Sequence, residues 1–362
     1  MIMEKRISGM LPLVQRVMAQ QWTRGPAPAH SAGVMCAAPA PPRKSASADQ
    51  YDARRDLLAV ARAPVGTAYV NGRYVPRARA VVAAEDRGFL YADAVYEVMD
   101  VRAGALVDGP AHTDRLWRGL AALGIAPPMP PAAFLAVVGE VLRRSRLSCG
   151  ALYIQVTRGA APRSLAPPEP PPRPTLVVLP MRLDEAALAA TRARGKAVIT
   201  TPDLRWARRD IKTTMLLPAC LALAEARAAG AQDAWLLDAK GCVTEATSAN
   251  AWIVYGGVLR TRPEGADILK GVTRTAVLAI ASEMGLPVRE VAFTADEARA
   301  ADEAFQSSSG ARIVPVVRID GRALGGGVPG PHTQAIARRY DAYVRAAQDA
   351  GGAFCAQSCK NA

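Results

Sequence analysis

The stretch Arg205-Trp206-Ala207-Arg208-Arg209-Asp210-Ile211-Lys212-Thr213-Thr214 decides how this chain is interpreted. Its lysine, Lys212, follows Ile211 and stands shortly before a predicted helix, where the fold could bury its amine. Desolvation can leave such an amine neutral, and a neutral amine forms a Schiff base with an aldehyde. Further along, Glu245 lies in Val243-Thr244-Glu245-Ala246-Thr247-Ser248-Ala249-Asn250, and a carboxylate can keep a pyridine nitrogen protonated. Together the two residues meet the needs of pyridoxal 5′-phosphate (PLP) chemistry.

Length and composition indicate a globular protein. The chain has 362 residues, half of them hydrophobic, which is enough for two domains with separate cores. The formal net charge is +13, but the basic residues are scattered, without a lysine-rich run or a basic stripe interleaved with aromatics. We therefore expect no nucleic-acid partner. No apolar run approaches the ~20 residues that a membrane-spanning helix needs, so we expect no membrane partner either.

Cysteine and histidine are few and dispersed. Six cysteines occur without a CxxC pair, and three histidines lie far from one another. This spacing predicts no metal site. Reduced cysteines are typical of the cytoplasm, which is the expected location.

Composition and patterning divide the chain into parts. Before Asp49 the only acid is Glu4, and Ala, Pro and Ser dominate from Ala27 to Ala48. A leader peptide, a disordered extension and a start assigned too far upstream all fit this composition. The predicted division is an extension over 1–66, a small N-terminal α+β domain over 67–183, a linker over 184–195, a larger cofactor-binding domain over 196–348 and a tail over 349–362.

Local patterns predict the elements within these parts. A hairpin signal opens the first domain, where two strands flank Asn71-Gly72, a pair typical of a type I′ turn. Periodicity predicts helices over 112–123, 131–147, 217–229, 272–283 and 331–347. It predicts further strands over 95–101, 105–107, 151–157, 175–179, 197–201, 235–237, 251–254 and 313–319, with a proline-rich loop over 158–174. Helices and hairpins without regular βαβ alternation predict an α+β fold in two domains.

A series of short segments follows one order along the chain. The segments are Tyr69-Val70-Asn71-Gly72, 85–89, 92–98, 112–116, 155–159, the Lys212 and Glu245 stretches, 268–274 and 305–309. In this order they resemble the fold-type IV PLP enzymes, the class IV aminotransferases, and within them the D-amino-acid aminotransferases. The resemblance implies two mixed α/β domains with PLP between them. It also implies a homodimer in which both subunits line each active site.

The resemblance assigns the central chemistry to three residues. Lys212 matches the lysine that holds PLP as a Schiff base and, once released, moves a proton as the catalytic residue. Glu245 matches the carboxylate that faces the pyridine nitrogen. Arg115 matches the arginine that binds the cofactor phosphate, for which a guanidinium fork is well suited.

Further positions match the family's phosphate and substrate pocket. Val272 and Thr273 begin a predicted helix whose N–H groups would cradle phosphate, and Thr273 also suits the N-cap. Ser308 and Ser309 match a hydroxyl pair in the same pocket. The resemblance places Glu97 and His112 around Arg115, and Tyr96 on the strand that lines the substrate side, where its phenol would bind the substrate carboxylate. The corresponding residues are therefore Lys212, Arg115, Glu245, Val272, Thr273, Ser308 and Ser309 for the cofactor, and Tyr96 and Arg163 for the substrate.

The loop after residue 157 leaves the substrate open. D-amino-acid aminotransferases carry an arginine there and, two residues later, a histidine, which together bind the α-carboxylate. Here Arg163 fits the arginine, but Leu165 replaces the histidine. We expect transamination between a D-amino acid such as D-alanine and a 2-oxo acid such as 2-oxoglutarate. The alternatives are a branched-chain L-amino-acid transaminase, an (R)-amine transaminase, a 4-amino-4-deoxychorismate lyase and a PLP-binding protein with little turnover.

Overall fold

A computed structural model of the protein describes residues 66–358, with side chains as far as 346. The predicted extension before Gly66 and residues 359–362 lie outside this range. The strands are β1 (Thr67–Val70), β2 (Arg73–Pro76), β3 (Ala94–Arg102), β4 (Ala105–Leu106), β5 (Cys149–Thr157), β6 (Thr175–Met181), β7 (Lys196–Pro202), β8 (Asp233–Leu237), β9 (Val243–Ala246), β10 (Asn250–Tyr255), β11 (Val258–Thr261), β12 (Val288–Glu290), β13 (Glu303–Ser308), β14 (Arg312–Ile319) and β15 (Arg322–Ala323). The α-helices are α1 (Arg87–Tyr91), α2 (Gly109–Ala122), α3 (Pro131–Ser145), α4 (Glu185–Arg194), α5 (Leu217–Ala228), α6 (Val272–Glu283), α7 (Ala295–Arg299) and α8 (Pro331–Ser358).

The first six strands form an antiparallel sheet in the order β2-β1-β6-β5-β3-β4. The predicted hairpin is confirmed, because Val70 pairs with Arg73 and both turn residues, Asn71 and Gly72, have positive φ. Leu116 of α2 and Phe134 of α3 lie in one hydrophobic cluster with strand residues such as Leu152. The two helices therefore share a core with this sheet.

The remaining strands form a nine-stranded mixed sheet in the order β12-β11-β10-β13-β14-β7-β8-β9, with β15 paired to β14. Three neighbouring pairs are parallel: β11 with β12, β14 with β7, and β7 with β8. Trp252 stacks on Phe305 in the core, with ring centroids 5.5 Å apart. Helices combined with an antiparallel sheet and a mixed sheet confirm the predicted α+β class.

Helix α4 lies within the predicted linker and contacts both sheets through ion pairs. Its Glu185 binds Arg102 of β3 at 2.6 Å and Arg312 of β14 at 3.4 Å. The pairs connect the sheets directly, while the division into domains at 184–195 stays a prediction. Among the described residues, no helix is both long and apolar enough to cross a membrane.

The structure corrects two helix bounds. Helix α2 begins at Gly109, not at His112, because Pro110 occupies its first turn, where the missing N–H is tolerated. Helix α8 runs to Ser358 and so passes the predicted end at residue 347. Strands β9, β11, β12, β13 and β15 were not predicted, because each is short and its residues show no clear alternation.

Candidate active site

The segment around Lys212 is held against strand β3 of the first sheet. The amide of Tyr96 donates to the carbonyl of Lys212 at 3.0 Å, and Val95 forms an isolated antiparallel bridge with Thr213. Ile211 is buried in the core of the first sheet. With the preceding side chain buried and the backbone bridged, the lysine amine is directed over the Tyr96 ring, 4.3 Å from its centroid. The backbone contacts thus place the amine of Lys212 beside Tyr96, where it lines a cavity.

The cavity that Lys212 lines has a volume of about 310 Å³, and residues of both sheets line it. All but one of the predicted site residues line it: Tyr96, Arg115, Lys212, Glu245, Val272, Thr273, Ser308 and Ser309. The exception is Arg163, which is exposed and lies outside the lining. Leu165 is also outside, with 83% of its surface exposed. Within one chain, the cofactor residues of the prediction are brought together and the loop arginine is not.

Glu245 lies inside strand β9 and is 5% exposed. Its Oε1 accepts from Nη1 of Arg205, and its Oε2 accepts from Nδ2 of Asn250 at 3.2 Å and from the amide of Leu269 at 3.3 Å. Burial raises the pKa of Glu245, and the positive charges of Arg205 and Lys212 oppose that rise. The hydrogen bonds therefore hold the carboxylate in one orientation. Its pKa is set by two opposing effects, burial and the charges of the nearby cations.

Arg205 is a site residue to which sequence reasoning gave no role. It is bidentate to Asp203, with Nε and Nη2 at 2.9 Å and 2.8 Å from the carboxylate, and this leaves Nη1 to face Glu245. Asp203 in turn accepts from Thr244 and pairs with Arg209, so its negative charge is fully partnered. The only signal in the sequence was an arginine seven residues before the lysine, which does not by itself show which carboxylate it meets.

Arg115 sits at the other end of the cavity and is anchored from behind. Its Nε and Nη2 donate to the two oxygens of Glu97 at 2.6 Å and 2.7 Å, and Nη1 donates to the carbonyl of Lys270 at 3.0 Å. His112 Nδ1 lies 2.8 Å from the same carboxylate. Burial on its own would raise the pKa of Glu97, but Arg115, with His112, lowers it to about 2. Glu97 thus stays ionised and orients the guanidinium.

The start of α6 faces the same end of the cavity. Gly271 is the N-cap, with no side-chain capping bond, so the expectation that Thr273 caps the helix is wrong. The Thr273 hydroxyl lies 3.4 Å from that of Tyr340 instead. A Cβ on Gly271 would lie 2.1 Å from Oδ1 of Asn250, so only glycine fits there. Helix-start N–H groups without a side-chain cap are suited to an anion.

Ser308 and Ser309 complete that end. Both line the cavity where strand β13 ends, and the Ser309 hydroxyl lies 3.2 Å from Nε2 of His112. His112 therefore links Glu97 to a cavity hydroxyl, as the predicted surroundings of Arg115 required. This end presents a guanidinium, helix N–H groups and hydroxyls, a set of donors that binds phosphate.

Comparison with known proteins agrees with this geometry. The family model described as amino-transferase class IV matches residues 94–319. The chain is 37% identical to a D-alanine aminotransferase of Bacillus licheniformis, over 74% of this chain and 93% of that protein. It is 32% identical to a D-alanine aminotransferase of Staphylococcus epidermidis, over 76% of this chain and 97% of that protein. A branched-chain aminotransferase of the archaeon Thermoproteus uzoniensis is similar in structure, with a TM-score of 0.69, 28% identity, and 77% and 95% of the two chains covered.

The fold and the cavity define a class of enzyme that works on amino groups through PLP. The chain belongs to the class IV aminotransferase family. Its cavity fits the cofactor of that family, because phosphate donors gather at one end while an amine and a buried carboxylate face the rest of the space. Amino acids and 2-oxo acids are its substrates.

Proposed function

We propose that this aminotransferase takes the amino group from a D-amino acid, with D-alanine as the favoured donor, and passes it to 2-oxoglutarate. The observation that carries the reaction is the cavity in which Lys212, stacked on Tyr96, shares the space with buried Glu245. The choice of donor is supported by the relatives at 37% and 32% identity, whose names specify D-alanine.

The chain's own groups divide the work. When bound, PLP supplies an aldehyde carbon that accepts the amino group and a ring that acts as an electron sink. Lys212 would hold the cofactor through Nζ and, once released, take a proton from the substrate Cα at that same atom. Glu245 would keep a proton on the ring nitrogen, with Arg205 fixing its orientation. Arg115, Val272, Thr273, Ser308 and Ser309 would bind the phosphate.

Recognition of the substrate carboxylate is assigned to Tyr96 and Arg163. Tyr96 lines the cavity, whereas Arg163 is exposed outside it. An exposed guanidinium on a surface loop is available to a second copy of the chain. We therefore propose a homodimer in which Arg163 of one subunit binds substrate in the cavity of the other. A cytoplasmic location is part of the same proposal, and free thiols at Cys149, Cys220 and Cys242 support it.

An (R)-amine donor is the second candidate, and Leu165 is the observation that favours it. An apolar residue in place of a carboxylate-binding histidine removes one donor for an acid. Arg163 argues for the acid, because a guanidinium that enters a site without an anion loses its hydration without compensation. The two donors are therefore to be compared on the same protein.

The first experiment measures donor choice and covalent attachment together. Full-length holoenzyme is mixed with D-alanine, L-alanine, L-leucine or (R)-1-phenylethylamine, and loss of the cofactor's visible absorbance is recorded. D-alanine is expected to act fastest; a faster response to L-leucine or to the amine would replace the proposed donor.

Lys212→Ala is expected to abolish the borohydride-fixed cofactor on the peptide that carries position 212. It is also expected to lower the transamination rate by at least about 10³-fold, because it removes both the attachment point and the proton carrier. Lys240→Ala, which changes an exposed turn lysine, is the matched control. Transamination by Lys212→Ala at the control rate would remove Lys212 from the mechanism.

A further inference from the structure

The loop between β5 and β6 carries Arg163, yet its base is closed by backbone contacts. Gly159 has φ of +103°, and a Cβ there would lie 2.1 Å from the carbonyl oxygen of Arg173. Its amide donates to the hydroxyl of Thr157 at 3.0 Å, and the amide of Ala161 donates to the carbonyl of Glu85 at 3.3 Å. Both sides of the loop base are thus held together, and only glycine permits this approach.

The far side of the loop is held by one buried guanidinium. Arg87, in the first turn of α1, is 5% exposed. Its Nη1 donates to the carbonyl of Ser164 at 2.6 Å and lies 3.4 Å from that of Ala166, and Nη2 lies 3.5 Å from that of Leu165. Its own amide donates to the carbonyl of Gly159 at 2.9 Å. Arg87 therefore contacts the chain on both sides of Arg163.

Arg87 also forms an ion pair, through a different nitrogen from those that contact the loop carbonyls. Nε of Arg87 pairs with Asp93 at 2.8 Å. Asp93 is also paired with Arg158, whose Nε and Nη2 lie at 2.7 Å and 3.1 Å from its carboxylate. Loss of Arg87 would leave Asp93 partnered by Arg158. The carbonyls of the loop have no such substitute among their described contacts.

From these contacts we infer that Arg87 is a positioning residue for substrate recognition. It fixes the segment 159–166 and so sets where the Arg163 side chain can reach. A planar guanidinium presents several donors in a fixed fork and can serve adjacent carbonyls together, which a lysine ammonium cannot do in the same geometry. The inference rests on the proposed function in one respect, namely that Arg163 binds the substrate carboxylate.

The test uses Arg87→Lys in the full-length holoenzyme, which keeps the positive charge beside Asp93. Trypsin cleaves after Arg163 faster when the segment around that bond is free to fit the protease, so the rate of nicking there reports how firmly the loop is held. We expect nicking to rise at least about tenfold. The KM for D-alanine is expected to rise about tenfold with kcat within about twofold, since binding of the carboxylate is lost and the chemistry is not.

Arg158→Lys is the matched control, because Arg158 pairs with the same Asp93 but donates to the carbonyls of Leu123 and Gly124. It is expected to leave nicking after Arg163 within about twofold of wild type. The inference would be overturned if Arg87→Lys were nicked after Arg163 at the wild-type rate. It would also be overturned if Arg87→Lys and Arg158→Lys raised the nicking rate equally. Arg87→Met, which removes the charge as well, must release the loop at least as much as Arg87→Lys does.

Arg163→Gln separates this inference from the function on which it rests. If it leaves the KM for D-alanine unchanged, the carboxylate role of Arg163 fails, while the nicking result still decides whether Arg87 holds the loop. If it raises the KM and Arg87→Lys does not, the loop position has no effect on recognition and the inference is wrong.

Discussion

Each end of the cavity holds one guanidinium–carboxylate pair, but the two pairs are exposed to the cavity differently. At the phosphate end, defined by Arg115, Thr273, Ser308 and Ser309, a guanidinium lines the cavity and the carboxylate of Glu97 lies behind it. At the ring end, defined by Glu245 and Asn250, the carboxylate of Glu245 lines the cavity, and so does Arg205, which donates to it. Glu97 orients Arg115, and Arg205 orients Glu245. The phosphate end therefore presents only the positive member of its pair to the cavity, whereas the ring end presents both members.

Substitutions at the ring end are expected to lower kcat more than substitutions at the phosphate end. Glu245→Ala removes the carboxylate that we propose faces the ring nitrogen, whose positive charge would then lose its stabilising partner. We expect kcat to fall about 10²–10³-fold while some cofactor stays bound. Steady-state kinetics at saturating PLP, with Glu245→Gln as the isosteric control, measures this. Near-normal turnover in either variant would mean that the ring end does not depend on its charge.

The buried carboxylate of the phosphate end should appear in acid stability. Since the pKa of Glu97 lies at about 2, below the ordinary 4.5, its contribution is present above pH 4.5 and is lost as pH falls toward 2. The free energy of unfolding of wild type should exceed that of Glu97→Gln, and the gap should narrow by up to about 3 kcal/mol over that range. Urea unfolding at several pH values tests this. A gap independent of pH would show that folding does not lower the pKa of Glu97.

Arg115, the guanidinium of the phosphate end, should affect the affinity for PLP more than the rate. Arg115→Gln removes a charge-assisted bond to phosphate worth about 2 kcal/mol, and PLP binding should weaken about 30-fold. Titration of the apo protein with PLP measures this, and kcat at saturating cofactor should change far less. If the rate falls and the affinity does not, the two ends are not divided as described.

The smallest effect is expected from a substitution of Arg205, the ion-pair partner of Glu245. Without the opposing charge of Arg205, burial should raise the pKa of Glu245 further, so the carboxylate is lost at a higher pH. Arg205→Met should lower kcat about tenfold near neutral pH and shift the acidic limb of the pH–rate profile toward higher pH. Recovery of the rate at higher pH would confirm the sign, whereas an unchanged profile would show that Arg205 does not tune Glu245.

The sequence predicted the parts of the site that local motifs carry. Lys212, Glu245 and Arg115 lie in short stretches whose order along the chain indicates the family, and the cavity brings them together. It did not assign Arg205 to Glu245, because the pair is formed by a loop and a strand forty residues apart. The strand containing Glu245 was also missed, since its four residues show no periodicity of their own.

By itself, the sequence determined the chemistry of this protein, because residue types and their order carry the reacting groups and the family's motifs. It also determined the hairpin at Asn71-Gly72, whose positive φ angles are a local property. Only the tertiary structure decided which charged groups reach the cavity at each end and that Arg163 lies outside the cavity of its own chain. Those outcomes depend on contacts between distant segments, and no local pattern encodes the direction in which a buried side chain finds its partner.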